Sequence, residues 1–242
     1  MFSYIWHTFF FDPVYNGLVF FIDIFPKGDV GLAIIALVVV VKTILLPLSI
    51  KAAKTQRIMR EITPKLNELK VKHKEDRQAQ AQAMLEIYRD AGLNPFAGVV
   101  VMIIQIPILI ALYFAVYSGG GVALPDINTA LLYGFIPVPE IVTMNLLGLV
   151  DITSQSLILA LLAGLTQYLQ IKYAMPPLPA PEPGKEPDMK DDIARMMQVQ
   201  MKYILPPLIF FVGYTTSAAI ALYFVVSNLA ALAQEIFVKK HR

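Results

Sequence analysis

No cysteine occurs in the chain. Structural disulfides, thiolate metal sites and lipidation on cysteine are therefore excluded. Histidine is nearly as scarce. His7, His73 and His241 lie far apart, and a metalloenzyme buried in a membrane needs clustered ligands. Charge is sparse too: 16% of the 242 residues are charged and 57% are hydrophobic. That balance excludes an ordinary soluble domain and places the chain among polytopic membrane proteins. The net charge of +2 constrains little; where the charges fall says more.

The longest uninterrupted signal is VGLAIIALVVVVKTILLPLSI, residues 30–50, with one charge, Lys42. Its Val, Ile and Leu content would suit a buried strand, but a strand this long is far outside the usual range, so a lipid-spanning helix is expected. At 1.5 Å per residue the run covers roughly 30 Å, one hydrocarbon core. A cation inside it costs a few kcal/mol on insertion scales. Lys42 could snorkel to the headgroups. However, nine residues separate it from Lys51, roughly 13 Å of helix, about twice the reach of a lysine side chain. Lys42 is therefore expected to face a wet cavity within a helix bundle, which makes it a functional-site candidate.

Residues 1–25 are aromatic-rich and contain no Lys or Arg, unlike a signal or transit peptide. Asp12-Pro13 and Asp23 interrupt the apolar run. Residues 1–28 are expected to be an amphipathic segment at the outer interface, anchored by Trp6 and its Phe and Tyr neighbours; a sixth span is the alternative. Residues 51–94 carry ten Lys or Arg and six Asp or Glu. Ile58, Ile62, Leu66 and Leu69 recur at helical spacing, as do Ala81, Leu85 and Tyr88. A charged helical hairpin is predicted, with Thr63-Pro64 restarting or kinking its first helix and a polar break over residues 73–76.

Gly92 reads as a helix stop and Asn94-Pro95 as the start of the next span, about 95–117, which contains Gln105 and Pro107. Residues 118–154 hold no Lys or Arg and read as a segment resting on the outer membrane surface. A third span, about 155–174, contains Gln167 and Gln170. The linker PPLPAPEPGKEPD follows, extended or flexible. Met189, Met196, Met197 and Met201 then offer an adaptable apolar surface, or ordinary filling of an interfacial helix. Residues 203–238 carry one charge, Glu235; they divide at residues 213–217 into two short spans, about 200–214 and 217–238, suited to a locally thinned bilayer.

Sixteen of the 20 Lys and Arg lie in the hairpin, between the third and fourth spans, or in the tail, and Lys172 and Lys202 stand at the ends of those two spans that flank the linker. The positive-inside rule then sets the N-terminus outside and the C-terminus in the cytoplasm. The expected fold class is an all-α membrane protein with five transmembrane helices.

TPKLNELKVKHKEDRQAQAQAMLEIYRDAGLNPFAG, IIQIPILIALY, QMKYILPPLIFF and ALYFVVSNLAALAQ occur in this order. Together they make the chain resemble the YidC/Oxa/Alb membrane protein insertases, in their short bacterial form. The resemblance covers about residues 12–240. It implies a five-helix core over residues 29–242 around a hydrophilic groove, open to cytoplasm and lipid and closed outside. Lys42 stands where the family usually carries Arg, and Gln105, Gln167, Tyr223 and Phe224 are implied as groove-lining residues. An ammonium cannot make the bidentate contacts of a guanidinium, but it keeps the positive charge. Individually, Gln105 and Gln167 could equally be interhelical hydrogen-bond glue.

The function so implied is a membrane protein insertase and chaperone of the bacterial inner membrane, with no enzymatic step and no cofactor. Nascent membrane proteins and the lipid bilayer are the implied partners. The ribosome and a Sec-type translocon are further candidates, and no direct nucleic-acid contact is implied. Two alternatives stay open: an assembly factor without insertase activity, and a small-molecule transporter. The latter would be expected to show internal repeats and paired intramembrane ionisable residues, and neither is seen in the sequence.

Overall fold

The computed structural model describes residues 2–72, 76–92, 97–117, 121–175, 196 and 199–240. The Asn94-Pro95 start, Gly119-Gly120, the Pro-rich linker, Met189 and Met197 lie outside them. The chain divides into two compact units, Met1–Thr43 with Pro107–Arg242, and Ile44–Ile106.

In the first unit, α1 (Phe2–Trp6) passes through a π-helical turn (His7–Phe11) into α2 (Asp12–Ile24). The turn has a local cause. Pro13 has no N–H to donate, and in a regular helix its ring would press on the carbonyl four residues back. Widening the turn relieves this, and the Asp12 N–H donates to the His7 carbonyl instead. One face of α2, with Val14, Tyr15, Leu18, Val19 and Ile22, is buried. Trp6 packs edge-on against Phe114, ring centroids 6.3 Å apart.

Helix α3 (Val30–Lys72) begins in this unit and runs on into the second. Helix α5 (Ala97–Tyr117) ends here. Then come a long loop, α6 (Leu157–Ala174), a second π-helical turn (Gln200–Ile204), α7 (Leu205–Thr215) and α8 (Ala218–Lys240). Three of these helices are long and apolar enough to cross a membrane, over Val30–Met59, Leu157–Ala174 and Ala218–Val238. The apolar stretch Ile103–Tyr117 and the 11-residue α7 are shorter. The coarse expectation of an all-helical membrane protein therefore holds.

The core gathers where α3, α6 and α8 start and α5 ends. Ile34, Leu112, Ile152 and Ala218 are buried there with the inner face of α2. The loop locks onto this end through backbone hydrogen bonds. Val30 N–H donates to the Thr143 carbonyl at 3.1 Å, and Thr143 N–H to the Gly28 carbonyl at 2.8 Å. Ala218 N–H donates to the Ser154 carbonyl at 2.7 Å. Gly28 is required at its position: φ is +62°, and a Cβ would lie 1.8 Å from the Ile141 carbonyl oxygen. A two-residue antiparallel pairing, β1 (Asn145–Leu146) with β2 (Val150–Asp151), closes the loop's tip. Helices α6 and α8 are tied by Asn228, whose Nδ2 donates to the Ala163 carbonyl and to Thr166 Oγ1, both at 3.4 Å.

The second unit contains the rest of α3, α4 (Arg77–Asp90) and the start of α5. Helix α3 continues through Thr63-Pro64, so the expected restart does not occur; an interior proline removes one hydrogen bond but does not oblige a long helix to end. Asp76 caps α4, its Oδ1 accepting from the Gln78 and Ala79 N–H groups at 3.0 and 2.9 Å. On α3, Leu66 is buried. Of the expected Ala81, Leu85 and Tyr88 stripe on α4, Tyr88 is half-buried but Ala81 and Leu85 are exposed, Leu85 by 64%. The half-buried face runs through Gln80, Ala83, Met84, Ile87 and Tyr88. That face follows the 3.6-residue period, and Leu85 lies one step off it.

Candidate functional site

Helical geometry decides where each candidate residue sits. On α3, Ile34 and Val38 are buried in the core. Lys42 lies one turn beyond Val38, on the flank of that face, and is half-buried. Val40 and Ile44, two positions to either side, are 42% and 69% exposed. They lie on the exposed side of the helix, so Lys42 points away from that side. Among the described residues its ammonium makes no hydrogen bond or ion pair. A lone positive charge on an inward flank is free to attract an incoming carboxylate, and low local dielectric strengthens that attraction.

Gln167 lies at the centre of the inward face of α6, between the buried Ala163 and Ile171. It is half-buried, and its Nε2 donates to Gln170 Oε1 at 3.3 Å. On α8, Ala218 to Tyr223 are all buried. Tyr223 is 5% exposed and belongs to the core, whereas Phe224 beside it is half-buried, the two rings edge-on with centroids 5.7 Å apart. Within the first unit, tight apolar burial thus ends at Val38 on α3 and at Tyr223 on α8; Lys42 lies one turn beyond the former, and Phe224 directly follows the latter. Gln105 belongs to the second unit. It is half-buried and shares its face of α5 with the core-packed Ile108 and Leu112.

Sequence reasoning passed over the polar groups that hold this frame. Asp29 is 6% exposed. Its Oδ1 accepts from Leu32 N–H at 2.9 Å and its Oδ2 from Leu147 N–H at 2.7 Å, joining the start of α3 to the loop. Asn16 accepts from Tyr133 N–H at 2.7 Å and donates to the Leu131 carbonyl at 2.9 Å. For Asn228 the available signal was an amide inside an apolar span, which must find a partner. Asp29 and Asn16 gave no comparable signal for their tie to the loop, because their loop partners are more than 100 residues away. No group of three or more metal-ligating residues occurs among the described residues.

A family model described as "60Kd inner membrane protein" matches residues 21–242. A protein of Oceanobacillus iheyensis named "Membrane protein insertase YidC" is 31% identical over 241 residues, covering 98% of this chain and 84% of its own length. A namesake from Alkalihalophilus pseudofirmus is 28% identical, covering 96% and 81%. A longer namesake from Agrobacterium fabrum is 30% identical over 97% of this chain but only 37% of its own length. These relatives are all named as insertases. With the family model matched over nearly its whole length, the chain belongs to the 60Kd inner membrane protein family.

Proposed function

We propose that this chain is a membrane protein insertase and chaperone that receives nascent hydrophobic segments and releases them into the lipid bilayer. In this reading α3, α5, α6, α7 with its preceding π-helical turn, and α8 are five spans around a hydrophilic groove open to the cytoplasm. Lys42, Gln105, Gln167 and Phe224 line the groove, with Tyr223 behind Phe224. The N-terminus lies outside the cell membrane and the C-terminus in the cytoplasm. Residues 1–28 form the outer interfacial segment, and residues 51–94 the cytoplasmic hairpin.

Lys42 carries the reading: a single cation on the inward flank of an apolar helix, one turn past the tight core. A polar or acidic segment loses water on entering lipid, and its charges and backbone groups are costly there. A wet groove shortens the dry distance, and Lys42 holds the acidic stretch transiently while the substrate's apolar helix moves out into lipid. No bond is made or broken. Nascent membrane proteins are the partners; a ribosome and a Sec-type translocon are the candidate companions.

Liposome insertion with the purified chain tests this. A short single-span substrate with an acidic N-terminal tail should become protease-protected well above its level in protein-free liposomes. Substrate held on the liposomes without gaining protection would mark an assembly factor. Solute flux without insertion would mark a transporter.

A further inference from the structure

A cleft of about 430 Å³ lies between α6 and the chain entering α7. The two run antiparallel along it. Gly164 approaches Phe210 and the Pro206 carbonyl so closely that an added Cβ would sit 3.1 and 3.2 Å from them. One turn further along α6, Tyr168 meets Tyr203, ring centroids 6.5 Å apart. Tyr168, Tyr203 and Lys202 therefore stand at one end of the cleft, and Leu161, Leu165 and Phe210 form its apolar remainder. From Tyr168 to Leu161 is seven residues, roughly 10 Å along the helix.

The polar end has a structural cause. Pro206 and Pro207 offer no N–H groups, and the helix before them widens into the π-helical turn Gln200–Ile204, with the Leu205 N–H donating to the Gln200 carbonyl. Lys202 and Tyr203 both lie on this turn. The Lys202 ammonium sits 5.2 Å from the centroid of the Tyr203 ring, which holds the charge at the cleft's mouth. Lys172 stands exposed one turn beyond Tyr168 on α6. Neither α6 nor residues 199–215 contain an Asp or Glu, so nothing on these elements offsets the positive charge.

We propose that this cleft binds one anionic phospholipid. The lipid phosphate meets Lys202 and the hydroxyls of Tyr168 and Tyr203, and an acyl chain follows Leu165 and Leu161 toward Phe210. Charge complementarity selects this occupant. An apolar peptide segment would leave the ammonium and phenols unmatched, and a zwitterionic lipid would bring its own cation toward Lys202. The inference does not depend on the insertase reading.

Native mass spectrometry of the delipidated full chain in detergent tests it, with phosphatidylglycerol and phosphatidylcholine of identical acyl chains supplied in equal amounts. One phosphatidylglycerol should be retained with roughly five-fold preference, about the worth of one lysine near an anionic surface. Lys202→Gln should bring the preference close to parity, and Lys202→Arg should keep it. Leu165→Trp should lower retention of both lipids by filling the apolar part. Equal retention of the two lipids by the wild type would show a groove for any apolar segment and overturn the proposal. An undiminished preference in Lys202→Gln, or displacement of the lipid by inorganic phosphate, would overturn it as well.

Discussion

Single residues divide into those that keep the frame and those that use it. Asp29 keeps it, accepting from Leu32 N–H at the start of α3 and from Leu147 N–H in the loop. Asp29→Ala removes a helix cap and the hydrogen bond from the loop, together costing about 2 kcal/mol. The thermal unfolding midpoint in detergent should fall accordingly, and by less for Asp29→Asn, which retains one acceptor. An unchanged midpoint for Asp29→Ala would remove this anchor from the account. Lys42 uses the frame. If positive charge alone matters there, Lys42→Arg keeps insertion of substrates with acidic tails and Lys42→Ala loses much of it, at unchanged midpoint. Equal insertion by wild type and Lys42→Ala would discard the groove-charge mechanism. The two residues also differ in how readily sequence reveals them. Lys42 announces itself because a lone cation in a long, mostly apolar run is costly wherever it points. Asp29 looks like an ordinary turn residue, and its second bond reaches across 118 positions that no local pattern can connect.

At the scale of elements, periodicity located the helices well and their ends less well. Helix α6 over Leu157–Ala174 and the division before Ala218 follow from apolar runs bounded by polar or small residues. The continuity of α3 through Pro64 and the face of α4 were not legible. A proline signals a possible stop without enforcing one, and alanines scattered around a polar helix leave its buried face poorly specified. The hairpin provides the test at this scale. Its α4 contains no fully buried residue, and elements with few buried apolar contacts open at low free-energy cost. A receiving role suits such an element better than a structural one. Replacing residues 65–89 with a flexible Gly/Ser linker should leave the remaining helices folded, with a thermal midpoint within a few degrees of wild type, while insertion falls several-fold. Loss of the fold would show the hairpin to be structural. Undiminished insertion would show it to be dispensable.

For the whole molecule, the decisive property is which side each end faces. The loop over residues 121–154 contains no Lys or Arg. It is bonded to the starts of α3 and α8, through Val30 with Thr143 and Ala218 with Ser154. Leu124 N–H donates to the Val116 carbonyl, so those helix starts and the end of α5 lie with the loop at one end of the first unit. The cations of residues 51–94 follow α3 after it has run its apolar length. In the proposed arrangement, the positive-inside rule has that charged segment in the cytoplasm and the loop outside. Neither charge count nor helix geometry alone suffices: the sequence supplies the asymmetry, and the loop's hydrogen bonds join three helix ends into one face. Because the chain has no cysteine, single reporters can be introduced without background. Glu140 in the loop and Glu86 on α4 are both exposed, so neither substitution disturbs packing. A membrane-impermeant maleimide applied to intact cells should label Glu140→Cys and spare Glu86→Cys, and permeabilisation should bring Glu86→Cys up to the same level. Labelling of Glu86→Cys alone in intact cells would invert the arrangement and point Lys42's groove away from the nascent chains it is proposed to receive.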